Sequence, residues 1–211
     1  PYIKSYTKSP NLKILDFSGI LKERYLTNDP LVTYAFHPVY EKNKNLVAMP
    51  GCSSLAIMQC LYPIKHLLKQ EIFIDVKFPR SSLKHNSSNL LDLDHNIKGV
   101  LYSAHPHQQE VSYLLKHSQI TITPSVIDIP SGLSLNIFLP NTNYESILGL
   151  LNAFYSNNKR VEITSQAPSL KTVVGSGKTT IYISASYSGT IINAVTDNLI
   201  NERYLDFIDL F

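Results

Sequence analysis

Cys52 is the side chain best placed to do covalent chemistry. It stands in Met49-Pro50-Gly51-Cys52-Ser53-Ser54, directly ahead of an apolar run with helical spacing. Pro50 and Gly51 turn the backbone sharply, so Cys52 falls in the first turn of the expected helix. The partial positive charge at a helix N-terminus favours the thiolate over the thiol. The thiolate is the form that a cysteine nucleophile needs. The plain alternative is a small buried core residue at a helix start. Cys60 lies mid-helix in the apolar stretch and reads as core. Eight residues apart on one helix, the two cysteines stand about 12 Å from each other, too far for a disulfide.

His105 and His107, in Ala104-His105-Pro106-His107, are the second candidates, between an expected strand and an expected helix. Either imidazole could take a proton from Cys52 or supply one to a developing alkoxide. A solvated pair of loop histidines is the plain alternative. A metal is not expected, because neither a carboxylate nor a third His stands at ligand spacing. Gly175-Ser176-Gly177-Lys178-Thr179-Thr180 ends like a phosphate-binding P-loop. That motif needs glycine at position 172, where Thr stands, and a helix where Thr180 to Ser184 reads as strand. The segment is therefore read as a hairpin-like turn, and nucleotide hydrolysis is set aside. The pattern G-x-G-x-x-G is absent from the eight glycines, so there is no dinucleotide fingerprint.

The elements that must position these groups can be read from periodicity and turn signals. Lys13 to Phe17 is a short strand, Asn28-Asp29-Pro30 a turn, and residues 31–40 an aromatic extended stretch. Leu46-Val47-Ala48 leads into the Pro-Gly turn. Apolar residues from Ser53 to Leu68 keep a helical spacing, with Ser53 or Ser54 as cap and Pro63 ending the first part. Strands are expected over 72–78, 98–103, 120–123, 133–139, 160–164, 180–187 and 190–194. Helices are expected over 108–116, 143–155 and 197–211, the second turning Ile147, Leu148, Leu151 and Phe154 inward. The segment 79–89, rich in Ser and Asn, is a loop. This order gives an α+β fold, a mixed and largely antiparallel sheet with helices on one face, rather than a doubly wound parallel sheet. Residues 1–50 would be a remnant of, or connection from, a preceding domain. Residues 51–195 would form the main α+β domain and 196–211 a C-terminal helix.

Composition bounds the function. The chain has 211 residues, 44% of them hydrophobic and 17% charged, as in a globular protein with a true core. Its formal net charge is +3, and Lys and Arg are dispersed, so a nucleic-acid partner is not expected. Apolar runs fall short of the roughly 18 residues a membrane helix needs, and the opening residues do not read as a signal peptide. With two cysteines too far apart to bridge, a reducing, cytoplasmic compartment is the default. The chain opens on Pro1 and enters structure at once, which reads as a start inside a fold.

The order of these motifs resembles the C-terminal two-thirds of N-acetyl-gamma-glutamyl-phosphate reductase, and of its lysine-pathway relatives, within the semialdehyde dehydrogenases. Lys13 to Gly19 is similar to "V-I-D-L-S-A-D-F-R", and Val47 to Cys52 to "V-A-N-P-G-C". Leu61 to Ile64 is similar to "L-A-P-L", Ile74 to Lys77 to the "D-x-K" strand, and His105 to Val111 to "H-R-H-x-P-E-I". Ile122-Thr123-Pro124 is similar to "F-T-P", and Thr196 to Ile200 to "I-D-N-L-V". The resemblance implies that Cys52 attacks an acyl phosphate to give a thioester, that NADPH reduces it to a semialdehyde, and that His105 or His107 handles protons. It also implies a strand-rich catalytic and dimerisation domain.

The chain departs from the family pattern at several contacts. The N-terminal dinucleotide-binding half has no counterpart here. The family's "S-G-x-S-G-A-G" loop is replaced by Phe78-Pro79-Arg80-Ser81-Ser82-Leu83-Lys84-His85. Ser81 and Ser82 remain as candidate phosphate donors, although glycine amides able to approach a phosphate closely are lost. The family's "R-G-I" is Ser131-Gly132-Leu133, which removes a bidentate cation. Its "K-G-A-A-G-Q-A" is replaced by Asn201-Glu202-Arg203-Tyr204-Leu205, leaving Asn198 as the candidate cofactor contact. Taken together, these changes point to a degenerate or truncated reductase acting as a structural or interaction module. That module would bind no cofactor alone, and a homo-oligomer or partner protein would cover the face of the missing domain. The alternative is an NADPH-dependent acyl-phosphate reductase whose cofactor domain is missing here or supplied by another chain.

Overall fold

The computed structural model describes residues 12–83, 93–100 and 106–200. The chain divides into two compact units, with the boundary between Gly51 and Cys52. In the first, β1 (Ile14–Asp16), β2 (Val32–Tyr34) and β3 (Leu46–Ala48) form a parallel sheet in the order β1-β3-β2. Every residue of β2 and β3 is buried. Short unbroken apolar runs such as Leu46-Val47-Ala48 suit parallel strands covered on both faces. Helix α1 (Ile20–Leu26) packs against β2 and β3 with Leu21 inward. Asp16 starts that helix by accepting hydrogen bonds from Ser18 N (2.8 Å) and Leu21 N (2.6 Å). The expected extended stretch over 31–40 is strand only as far as Tyr34, and His37–Val39 is a 3-10 turn containing Pro38.

The second unit is built on a seven-stranded sheet. Its strands are β4 (Ile72–Phe78), β5 (Ile97–Gly99), β6 (Ile120–Ile127), β7 (Leu133–Pro140), β8 (Val161–Thr164), β9 (Thr179–Ser186) and β10 (Gly189–Thr196), in the order β5-β6-β4-β7-β10-β9-β8. The β4–β6 and β8–β9 pairs are parallel and the other four are antiparallel. This is the mixed, largely antiparallel sheet expected. Alternation along each strand sorts the side chains to two faces. On one face the register places Ile122, Ile74, Ile137, Ile192 and Ile183 side by side across five strands. These five are all buried. On the other face Phe73 pairs with Phe138, and Phe138 with Ile191. Phe73 there is 46% exposed.

Helices cover the buried face. Helix α2 (Cys52–Leu61) packs on β7 and β10, α3 (Pro106–Leu115) on α2 and β6, and α4 (Tyr144–Tyr155) on β8 and β9. Pro63 ends α2, and residues Tyr62–Leu67 continue as 3-10 helix. Asn143 caps α4 by accepting from Ser146 N at 2.9 Å. Phe154, expected inward, is 47% exposed, and Tyr155 is buried in its place. The Tyr155 hydroxyl donates to the Gln59 carbonyl at 2.6 Å, a buried partner that Phe cannot use. A short helix α5 (Leu170–Val173) precedes the Gly175–Lys178 turn. The expected helix over 197–211 falls mostly on residues 201–211, outside the described residues.

Candidate functional site

The backbone leaves the Pro50-Gly51 turn directly into α2, and Cys52 is its first residue. The nine residues that follow, Ser53 to Leu61, are all buried. A helix enclosed by its neighbours on every side is a rigid mount for its first turn. Cys52 is half-buried and its thiol is free of disulfide, as is that of Cys60. Cys60 is fully enclosed, and desolvation pushes its thiol pKa far above the ordinary value. It is core, as expected.

Helix α3 begins at Pro106, whose missing N–H suits a first helical position. His107 therefore lies in the first turn of α3. Its Nδ1 is hydrogen-bonded to the Ser53 hydroxyl, and three residues on Glu110 Oε2 accepts from Ser54 Oγ at 2.5 Å. Residues three apart share one helix face, so α3 presents His107 and Glu110 together to the two serines after Cys52. Ser53 and Ser54 do not cap α2, as the sequence suggested. The helix starts one residue earlier, and both hydroxyls cross to α3. The Phe78 ring, at the end of β4, lies 6.2 Å from the His107 ring. His105 lies outside the described residues.

Two residues beyond Phe78, the turn Arg80–Ser82 begins and carries the phosphate candidates Ser81 and Ser82, both exposed. Asn198 is 3% exposed and both ends of its amide are engaged. Its Oδ1 accepts from Gly132 N at 2.7 Å, and its Nδ2 donates to Ser81 Oγ at 3.2 Å. Arg80 Nε donates to Asp128, and its Nη2 reaches Asp94 at 3.3 Å. The Arg80 hydrogen bond, helped by the His95 N–H at 2.6 Å, holds the Asp128 carboxyl below its usual range. The structure thus brings together Ser81 and Asn198 in one cluster, and His107 and the first turn of α2 in another. Glu110 and Gly132 are partners that sequence reasoning gave no role, and Ser53 and Ser54 were read only as caps. A His-x-x-Glu pair opposite a Ser-Ser doublet was the available signal.

The Gly175–Lys178 turn is not a hairpin, because it joins α5 to β9, and β9 runs parallel to β8. Gly177 N donates to the Asp197 carboxylate at 3.2 Å, so an acidic side chain takes the amide a P-loop would offer to phosphate. Thr179 is buried and donates to Gln59 Oε1 at 2.8 Å. Among the described residues there is no group of three His, Cys, Asp or Glu able to hold a metal. No helix there is long and apolar enough to cross a membrane.

A family model for the semialdehyde dehydrogenase dimerisation domain matches residues 52–198, which is most of the second unit. The chain belongs to that family. Over 187 residues it is 29% identical to the N-acetyl-gamma-glutamyl-phosphate reductase of Vesicomyosocius okutanii, covering 79% of this chain and 54% of that protein. The enzyme of the same name from Sulfurimonas denitrificans is 23% identical, with 94% of this chain and 66% of that one covered. The chain thus spans between half and two thirds of the length of these relatives. Among solved structures, a probable aspartate-semialdehyde dehydrogenase from Pseudomonas aeruginosa superposes with a TM-score of 0.64 at 15% identity, over 96% of this chain and 68% of that one. Aspartate-semialdehyde dehydrogenase II from Vibrio cholerae gives 0.67 at 13% identity, over 93% and 73%. These likenesses establish the fold.

Proposed function

We propose that this chain carries the acyl-transfer half of an acyl-phosphate reductase of the N-acetyl-gamma-glutamyl-phosphate type, with Cys52 as nucleophile and His107 as its proton partner. The observation that carries this reading is the Ser53–His107 hydrogen bond. It sets the His107 ring on the first turn of the helix that Cys52 opens. In the step proposed, the Cys52 thiol gives its proton to the imidazole and the thiolate attacks the carbonyl carbon of the acyl phosphate. The bond from that carbon to the phosphate oxygen breaks, inorganic phosphate leaves, and a thioester to Cys52 remains. The nicotinamide cofactor implied by the resemblance would supply hydride. The residues described here do not fit it, since the chain has no G-x-G-x-x-G and the Asn198 amide is taken by Gly132 and Ser81. No hydride step is assigned to them.

Thioester formation needs no dinucleotide, so the absence of G-x-G-x-x-G from this sequence does not bear on this half of the chemistry. The open sheet face, with Phe73, Phe138 and Ile191 aligned across β4, β7 and β10, supports assembly with a second copy. A second reading, a non-catalytic interaction module, draws on Arg80 being bound to Asp128 and Asp94 and not directed at a phosphate. Acetyl phosphate added to the purified chain separates the two. Rapid-quench assay of inorganic phosphate should show a burst of one equivalent per chain, lost in Cys52→Ala and kept in Cys60→Ala. No burst in the unsubstituted protein leaves the non-catalytic reading.

A further inference from the structure

Ser53 does more than hold two helices together. We propose that it fixes the tautomer of His107. In this arrangement the Ser53 Oγ accepts from Nδ1–H, so Nε2 is the atom that exchanges a proton with Cys52. The inference rests on the reading of Cys52 and His107 given above.

The two groups are hydrogen-bonded, but a neutral imidazole allows either direction. If the hydroxyl donates to Nδ1, the neutral ring carries its proton on Nε2 and has no lone pair left to receive one. If the hydroxyl accepts, Nε2 is the base. Only the second arrangement survives the proton transfer. Once the ring has taken the thiol proton, both nitrogens are donors, and Nδ1–H···Oγ is then the sole direction possible. A contact that must hold through neutral and charged states of the ring is therefore one in which serine accepts. The proton ledger closes: Nε2 gains the proton that Sγ loses, and Nδ1–H is unchanged. Histidines used as bases are commonly oriented by a partner on the other nitrogen, since the second bond decides which nitrogen is protonated.

Burial makes this partner effective. Ser53 is 1% exposed, so water cannot readily substitute for its hydroxyl. Ser53 belongs to the helix enclosed along its length, and Ser54, next to it, is held by Glu110 from the same face of α3. The oxygen that meets Nδ1 is thus fixed by two helices and not by a mobile loop.

The test is nitrogen-15 NMR of the histidine-labelled full chain, with the His107 ring assigned by its loss in His107→Asn. In the neutral ring, Nδ1 should resonate as a protonated nitrogen and Nε2 as an unprotonated one. Ser53→Ala should shift the ring toward the Nε2–H form and slow the acetyl phosphate burst about tenfold, a part of what a general base supplies. Ser53→Thr, which keeps the hydroxyl, should restore both. A protonated Nε2 in the unsubstituted protein would overturn the proposal, and so would a tautomer indifferent to Ser53→Ala. The predicted tautomer without any burst would uphold the role of Ser53 on the ring and sink the reading of Cys52.

Discussion

Replacing Asn198 with Ala asks whether this residue is a structural clamp or an idle ligand contact. In the structure it joins the turn after β4, the start of β7 and the segment after β10. Its Oδ1 accepts from Gly132 N at 2.7 Å in a buried setting, and its Nδ2 donates to Ser81 Oγ at 3.2 Å nearer the surface. Truncation leaves the Gly132 N–H buried and unsatisfied, which costs about 1–3 kcal/mol. Loss of the longer Ser81 bond adds roughly 0.5–1.5 kcal/mol. Asn198→Ala should therefore lower unfolding stability by about 2–4 kcal/mol, whereas Ser81→Ala should lower it by only about 1 kcal/mol. In a double-mutant cycle the pair should couple by roughly 0.5–1.5 kcal/mol, because only their shared bond is common to both. The chain has no Trp, so urea unfolding is best followed by far-UV circular dichroism. A loss below about 1 kcal/mol in Asn198→Ala would refute the clamp and return Asn198 to the set of candidate ligand contacts.

Five further outcomes follow from the same geometry. A Cβ on Gly189 would stand 2.1 Å from the Leu139 carbonyl oxygen, in backbone that cannot yield, so Gly189→Ala should cost about 3 kcal/mol or more. Gly149, inside α4 with nothing within 4 Å, should instead gain roughly 0.5–1 kcal/mol on substitution by Ala, and denaturant midpoints compare the two. Iodoacetamide should label Cys52 in the native protein and reach Cys60 only after unfolding, since Cys60 is enclosed and its thiol pKa is raised by burial. The Asp128 carboxyl is held low by Arg80, so its stabilising effect is present above the unfolded Asp pKa, about 3.9, and is lost as pH falls through the lower folded value. Carbon-13 titration should place Asp128 below that reference, and a midpoint at or above it contradicts the Arg80 contact. Phe73→Arg on the open sheet face should shift sedimentation toward the monomer, and an unchanged species would place the contact between copies elsewhere.

Much of this fold is legible in local pattern. Ile72 to Phe78 alternates, and the structure buries Ile72, Ile74, Val76 and Phe78 while leaving Phe73 outward. Asn143 before an apolar helical run marks the start of α4. What stayed hidden depends on partners distant in sequence. Phe154 has the more apolar ring, yet Tyr155 is the residue buried, because the Gln59 carbonyl is there to meet its hydroxyl. Ser53 and Ser54 look like caps in a local reading, since hydroxyls at helix starts usually bond the first free amides. Their true partners sit 54 and 56 residues downstream on α3. Cys52 and His107 stand out in the sequence as candidates by residue type and motif. That a serine beside the cysteine holds the histidine was not, for no local rule links those positions.

The central claim is that Cys52 accepts an acyl group, and peptide mass spectrometry after acid quench with acetyl phosphate tests it most directly. Both cysteines fall in the tryptic peptide Asn45 to Lys65, so fragmentation must localise the adduct. The account predicts one acetyl increment on Cys52, removed by neutral hydroxylamine as a thioester is, with Cys60 unmodified. Unmodified Cys52 under those conditions, or an adduct confined to another residue, would contradict it.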